Sequence, residues 1–259
     1  MTELTLSGRV AVVTGVSRRA GIGFAIARHL ARAGANLLIQ HHTPYDAQQP
    51  WGADSDGIDA LMTELRATGS RIEHIGADFT QADAPAKVIQ RAIEAYGHMD
   101  ILVCNHASST MGTLENLTAE QVDTHMAVNV RGSLLLIQGF AAQHDDSRSG
   151  GRVILMTSGQ HLGPMPQELA YIASKGALHQ LTLSLSSHLA RRKITVNTVN
   201  PGATDTGYAD AELLEAGRTA NPHGRWGLPD DAARLIAWLV SDEAAWITGQ
   251  VINSTGGGW

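Results

Sequence analysis

One cysteine, Cys104, stands in a chain of 259 residues. No intrachain disulfide framework can exist, and such sparing use suits a reducing cytoplasm, the expected location. No apolar run approaches the roughly 18 residues of a membrane span. The opening MTELTLSGRV lacks a basic segment followed by an apolar stretch, so neither a membrane anchor nor a secretory leader is expected. Excess positive charge is also missing: Lys and Arg total 19 against 25 Asp and Glu, for a net charge of −6. That balance argues against nucleic acid as a partner for the whole surface. There is no low-complexity tract and no internal repeat. Around His41 and His42 no companion set of Cys, His or carboxylates follows at ligand spacing, so no metal is expected. What is present, 43% apolar and 17% charged residues, is ordinary for a globular protein. The length fits a single domain over 1–259 with a sizeable core better than two small ones.

Apolar strands alternate with helices along the chain. Strands are expected at Arg9–Thr14, Ala35–Gln40, Arg71–Gly76, Asp100–Cys104, Arg152–Thr157, Ile194–Val199 and Gln250–Asn253. Helices are expected near Gly21–Ala33, Ile58–Thr68, Ala82–Tyr96, Ala119–Gln143, Gln167–Ala190 and Pro229–Ser241. Such alternation implies an α/β fold with one parallel sheet covered by helices on both faces. Right-handed crossovers make it doubly wound, of Rossmann type, with ligands at the carboxyl ends of the strands. Residues 41–57, HHTPYDAQQPWGADSDG, form a polar connection with two Pro and two Gly. A loop of that length is often functional or mobile.

Two patterns carry chemistry. Tyr171 and Lys175 are four residues apart, and Ser158 precedes the Tyr by thirteen. In a helix starting near Gln167 the i, i+4 spacing puts phenol and ammonium on one face. A Lys so close is expected to favour the phenolate, pulling the Tyr pKa down from about 10 toward working pH. A Ser hydroxyl from the preceding strand end can then hydrogen-bond the oxygen of a carbonyl or alcohol, which makes a proton-transfer site. The second pattern is the first strand-to-helix turn, Thr14-Gly15-Val16-Ser17-Arg18-Arg19-Ala20-Gly21-Ile22-Gly23. Its glycines permit a tight turn and close backbone approach to a pyrophosphate, which the following helix N-terminus favours.

Gly15 to Gly23, Asn129, Ser158, Tyr171, Lys175, the Pro201-Gly202 pair with Thr206 and the ending ITGQVINSTGG together resemble the short-chain dehydrogenase/reductase family. The match covers nearly the whole chain in the right order. It implies the doubly wound fold and an NAD(H) or NADP(H) cofactor. It also implies a catalytic tetrad of Asn129, Ser158, Tyr171 and Lys175. Tyr171 is then the proton donor in reduction. Lys175 binds the nicotinamide ribose and lowers the Tyr pKa, Ser158 holds the substrate oxygen, and Asn129 supports a proton-relay water. Cofactor contacts are expected from Thr14, Gly15, Ser17, Arg18, Arg19, Gly21, Ile22 and Gly23 in the turn and from Tyr171 and Lys175. By resemblance Pro201, Gly202, Thr204 and Thr206 lie by the carboxamide and Asp78 and Phe79 by the adenine. The chain departs from the family pattern twice. Gly15 and Gly21 enclose five residues rather than three, and the usual Asn-Asn-Ala-Gly after the fourth strand reads Cys104-Asn105-His106-Ala107. Cys104 is expected to be a small buried thiol, since nothing nearby in sequence lowers its pKa. Asn105, His106 and Ala107 border the cofactor or pack beneath it.

NADPH is expected over NADH. The second strand ends in Gln40-His41-His42-Thr43, with no carboxylate before Asp46 to accept a ribose diol. Arg18 and Arg19 supply guanidinium groups suited to a 2′-phosphate, with His41 and His42 helping when protonated. The substrate is a small-molecule carbonyl compound, with carrier-protein- or CoA-linked ketoacyl thioesters among the candidates. The pattern resembles the 3-ketoacyl-acyl-carrier-protein reductase branch, including Arg225-Trp226-Gly227-Leu228-Pro229. Arg191-Arg192-Lys193 is the candidate basic patch for an acidic carrier, and equally a helix end where cations offset the macrodipole. An enoyl reductase fits less well, since that relative spaces its Tyr and Lys seven apart and position 168 is Glu. Residues 207–224 occupy the place of the family's substrate-covering segment, with Tyr208, Leu213, Leu214, Leu162 and Met165 as candidate pocket residues. His161 is as readily a loop residue, and Trp51 either folds over the adenosine end or meets a neighbouring subunit. Trp259 has no assignment. The resemblance also implies a homo-oligomer, tetramer or dimer, built on the helices near 119–143 and 168–190. The competing readings are an NAD-dependent alcohol dehydrogenase of the same family and a cofactor-binding regulator without chemistry.

Overall fold

The structure is a computed structural model that describes residues 5–148 and 150–258; Trp259 lies outside them. Seven strands are formed: β1 Val10–Thr14, β2 Asn36–His41, β3 Ile72–Gly76, β4 Ile101–Cys104, β5 Arg152–Met156, β6 Thr195–Asn200 and β7 Val251–Asn253. They make one parallel sheet in the order β3-β2-β1-β4-β5-β6-β7. β1, β4, β5 and β6 are buried along their whole length, as strands sandwiched between two helix layers must be. Alternate residues serve opposite faces. Ala11, Val13, Leu37 and Ile39 pack with α1 (Ile22–Arg32), α3 (Gly57–Arg66) and α9 (Pro229–Leu239). Val12 and Leu38 face the other way, into the layer of α4 (Ala84–Tyr96), α6 (Gly132–Gln143) and α7 (Leu169–Leu189). The strand order reverses between β1 and β4, so the carboxyl ends of these neighbours open the crevice in which such folds bind ligands.

Two local features differ from a reading of the sequence alone, and a third adds detail to it. The polar connection after β2 contains a short helix, α2 (Thr43–Ala47), with Pro44 in its first turn. The helix expected over 119–143 is composite: α5 (Ala119–His125), a π-helical turn over Met126–Arg131, and then α6. Thr118 starts α5 through a reciprocal box, its Oγ1 accepting from Gln121 N at 3.1 Å while Gln121 Oε1 accepts from Thr118 N at 3.0 Å. The π turn inserts an extra residue where Asn129 points inward, a deformation that recurs at functional sites. Finally, residues 207–224 carry α8 (Ala211–Ala220), whose first turn is capped by Asp210 Oδ1 accepting from Leu213 N at 2.8 Å.

The basic triplet Arg191-Arg192-Lys193 ends α7 just before β6 begins. It therefore lies at the amino edge of the sheet, opposite the edge where the crevice opens. Arg192 is engaged there with Asp146 and with the carbonyl of His144, each at 2.9 Å. This placement removes the triplet as a carrier-protein patch at a site mouth. No helix among the described residues is long and apolar enough to cross a membrane.

Candidate active site

β1 runs into a turn that only glycine can make. Gly15 sits at φ +72°, and a Cβ there would lie 2.8 Å from His106 Cα. A Cβ on Gly23 would run into the Gly15 carbonyl oxygen. Polar side chains brace the turn from both neighbouring strands. Gln40 Oε1 accepts from Gly15 N at 3.0 Å while its Nε2 donates to Ala77 O at 2.6 Å. Asn105 Nδ2 donates to the carbonyls of Thr14 and Gly15 at 3.0 and 3.1 Å. The N-terminus of α1 has no side-chain cap and no acidic residue in its first turn. Its free N–H groups and positive dipole end are thus available to an anion.

A cavity of about 510 Å³ opens above this helix end. Gly15, Ser17, Arg18, Gly21, Ile22, Asp78, Phe79, Asn105, His106, Ala107 and Thr206 line it, as expected for a dinucleotide. Thr14 is fully buried behind the turn, and Gly23 is buried against Gly15. Pro201, Gly202 and Thr204 form the turn after β6, where Thr204 Oγ1 donates toward Pro201 O and Gly202 O at 3.3 and 3.2 Å. Their side chains are not part of the cavity wall.

Tyr171 and Lys175 do not line this cavity either, and Arg19 and His41 are turned away from it. Arg19 leaves the cavity because carboxylates of the following segment hold it: Asp56 at 2.8 Å and Glu64 at 3.3 Å on its guanidinium, with Asp54 accepting from its backbone N at 2.8 Å. Arg18 and Arg19 point apart. His41 turns toward β3, its Nε2 3.1 Å from Nδ1 of His74. Burial and the neighbouring imidazole push its pKa down, which works against a protonated phosphate contact.

Other cavity residues were not foreseen. Tyr45, Asp46 and Gln48 come from the segment around α2, beside His42, which was expected near a phosphate. Tyr45 bridges to the loop after β4, its hydroxyl donating to Ser109 O and accepting from Ser109 N, both at 3.1 Å. Asp46 is buried and accepts from the Trp51 indole N–H at 3.3 Å. The sequence signal was Pro44, a residue favoured at the first position of a helix.

His106 is both wall and brace. Its Nε2 lies 3.0 Å from Val128 O, which can only accept, so Nε2 carries the proton. Nδ1 then takes a hydrogen bond from Thr14 Oγ1 at 2.7 Å, and the ring packs on Phe79 at 4.3 Å between centroids. Burial pushes its pKa down to about 3. This neutral imidazole thereby joins β1 to the π turn that carries Asn129.

The four residues of the expected tetrad come from three segments. Ser158 follows β5 directly, Tyr171 and Lys175 lie on α7, and Asn129 lies in the π turn. Asn129 is fully buried and tied to protein on both amide atoms: Oδ1 accepts from Ser108 N at 2.7 Å, and Nδ2 donates to Ser108 O and to Ser174 Oγ at 3.0 and 2.8 Å. Ser174 Oγ in turn donates to Tyr171 O at 2.7 Å, so Asn129 anchors α7 between Tyr171 and Lys175. Lys175 Nζ donates to Met156 O at 3.0 Å and stands 5.6 Å from the centre of the Tyr171 ring.

The electrostatics reverse the expectation for the phenol. Burial pushes Tyr171 up to about 12, against the Ser158 hydroxyl, which lowers it; Glu168, Tyr208 and Tyr45 add to the rise. Burial also lowers Lys175 to about 8. Enclosure dominates, so the phenol stays protonated at neutral pH. Cys104 lies beneath, 1% exposed, with its thiol pushed up by burial to about 12.

Comparison with known proteins places this geometry. A family model described as Enoyl-(Acyl carrier protein) reductase matches residues 15–258. The uncharacterized oxidoreductase YjdA of Bacillus subtilis is 42% identical over 250 residues, covering 96% of each chain. The chain belongs to the short-chain dehydrogenase/reductase family. Members with solved structures superpose closely. The angucycline C-6 ketoreductase LanV with bound NADP is 34% identical at a TM-score of 0.86, over 98% of this chain and 96% of that one. A short chain dehydrogenase from Burkholderia cenocepacia in complex with NADP is 34% identical at a TM-score of 0.87, over 97% and 98%. Like the rest of the family, the protein is an NAD(P)-dependent oxidoreductase acting on CH–OH and C=O groups.

Proposed function

We propose that the protein reduces the carbonyl of a small ketone with NADPH, using Tyr171 as the proton donor. The observation that carries this reading is the partly buried phenol of Tyr171, beside the Ser158 hydroxyl and with the Lys175 ammonium 5.6 Å from its ring centre. The nicotinamide cofactor, when bound in the cavity, supplies the hydride. Ser158 holds the substrate oxygen, and Tyr171 releases its proton to that oxygen as the carbonyl carbon is reduced. Lys175 binds the nicotinamide ribose, and Asn129 keeps the two α7 residues in register through Ser174. NADPH is supported by the NADP bound to LanV and to the Burkholderia protein, and by a β2 end without a carboxylate.

A free ketone is favoured over a carrier-bound thioester. The segment joined to Glu168 through Gly112 carries exposed Met111 and Leu114, and Tyr208 is 46% exposed. This rim is apolar rather than basic. Residues 207–224, with α8, cover the substrate in this reading. Exposed Leu183 on α7 supports assembly of copies through that helix layer. One observation favours a second reading, NAD-dependent alcohol oxidation by the same residues: Asp46 brings a carboxylate into the cavity that could accept a ribose diol.

Titration with NADPH and NADH by nicotinamide fluorescence, followed by a ketone panel, tests the proposal. Tighter NADPH and NADPH-dependent ketone turnover are expected. Preference for NADH with alcohol oxidation alone would replace it by the second reading.

A further inference from the structure

Arg18 crosses the cavity. From the glycine turn its Nη2 donates to Thr206 O at 2.7 Å, on the segment that follows β6. Gly207 lies alongside, where a Cβ would only come into ordinary contact with Nη2 at 3.4 Å. The guanidinium carbon lies 5.5 Å from the centre of the Trp51 ring, a cation–π arrangement. Trp51 is held in turn by Asp46 at 3.3 Å and meets Tyr208 edge-on at 6.4 Å, and Tyr208 leans on Trp226 at 5.8 Å. Three segments remote in sequence thus meet around one cation: the glycine turn, the connection after β2 and the stretch around Tyr208.

The position decides which phosphate such a cation can serve. Thr206 lines the same cavity as Gly21 and Ile22 at the uncapped start of α1, where the dipole favours an anion. The end of β2, where a ribose 2′ position belongs, is lined instead by His42 and Asp46. Arg18 uses one of its five N–H donors on Thr206, leaving the others for a ligand. Arg19 is occupied by carboxylates.

We infer that Arg18 clamps the pyrophosphate common to NADPH and NADH, with Trp51 as its positioning residue, and does not choose between the two cofactors. The inference rests on the dinucleotide reading of the cavity.

The test is equilibrium binding of NADPH and of NADH, by calorimetry, to wild type, Arg18→Ala, Trp51→Ala and Trp51→Phe, each checked for an unchanged melting profile. Loss of a charge-assisted contact predicts about tenfold to a hundredfold weaker binding of both cofactors to Arg18→Ala, with their ratio unchanged. Trp51→Ala should weaken both by a smaller common factor, and Trp51→Phe should recover most of it. Selective loss of NADPH in Arg18→Ala would make Arg18 a 2′-phosphate reader and overturn the inference. Unaltered binding of both would show the arginine idle and overturn it too. Wild type that binds neither cofactor would defeat the dinucleotide reading itself, an outcome separable from either.

Discussion

Lys175 stands over the ring of Tyr171, 5.6 Å from its centre, yet its hydrogen bond goes to the Met156 carbonyl at 3.0 Å. The pair is close without the ammonium being spent on the phenol. Burial therefore controls both groups, raising one pKa to about 12 and lowering the other to about 8.

Replacing Tyr171 by Phe removes the proton donor and little else. Turnover of a ketone substrate should fall at least a hundredfold to ten-thousandfold, the range of general acid catalysis. NADPH affinity should stay near that of wild type. Steady-state kinetics beside a fluorescence titration check both halves; undiminished turnover would remove Tyr171 from its role.

Lys175 also makes stability depend on pH. Its folded pKa, about 8, lies below the ordinary 10.5. The unfolded chain thus holds one more proton between these values, and stability rises with pH across that window. Below pH 8 the full cost of the buried ammonium is present, of order a few kcal/mol. Lys175→Met should therefore gain on wild type at pH 7, and the gap should close by pH 10.5. Urea unfolding at several pH values reads this directly, and a gap independent of pH would count against it.

The imidazole of His106 acts at the acid end. Its folded pKa of about 3 lies below the ordinary 6.5. Its contribution is complete above pH 6.5 and is lost as pH falls toward 3, because the unfolded chain takes up the proton first. In His106→Ala the slope of stability against pH should flatten over that window by up to a few kcal/mol in total. The measured quantity is the difference from wild type, since carboxylates titrate in both proteins. Parallel curves would show that the ring is not buried neutral.

Cys104 should be inert in the folded protein. With 1% exposure and a pKa near 12, it offers almost no thiolate at pH 8. Ellman's reagent should find no rapidly reacting thiol until denaturant is added, and then one per chain. Fast labelling of native protein would contradict the burial.

Much of this protein was written in patterns short enough to read along the chain. The short apolar runs gave seven strands within a residue or two of where they lie, because strands buried on both faces have little freedom in composition. Gly15 and Gly23 were legible because only a residue without Cβ fits the turn. The spacing of Tyr171 and Lys175 was legible because a helix turns every 3.6 residues.

What folding alone decided concerns side chains whose partners are remote. Arg18 and Arg19 are neighbours, and nothing local separates them; Thr206 and Trp51 take one, while Asp56 and Glu64 take the other. The basic triplet before β6 was visible, but which edge of the sheet it would occupy was not. The same holds for Tyr171. Helical spacing brought a lysine beside it and implied a lowered pKa, but desolvation is a property of everything packed around the phenol. Sequence determined the backbone and the residues available for chemistry, since those follow from local sterics and periodicity. Charge states and pairings were left to tertiary structure, because they depend on distances and burial that exist only once the chain has closed on itself.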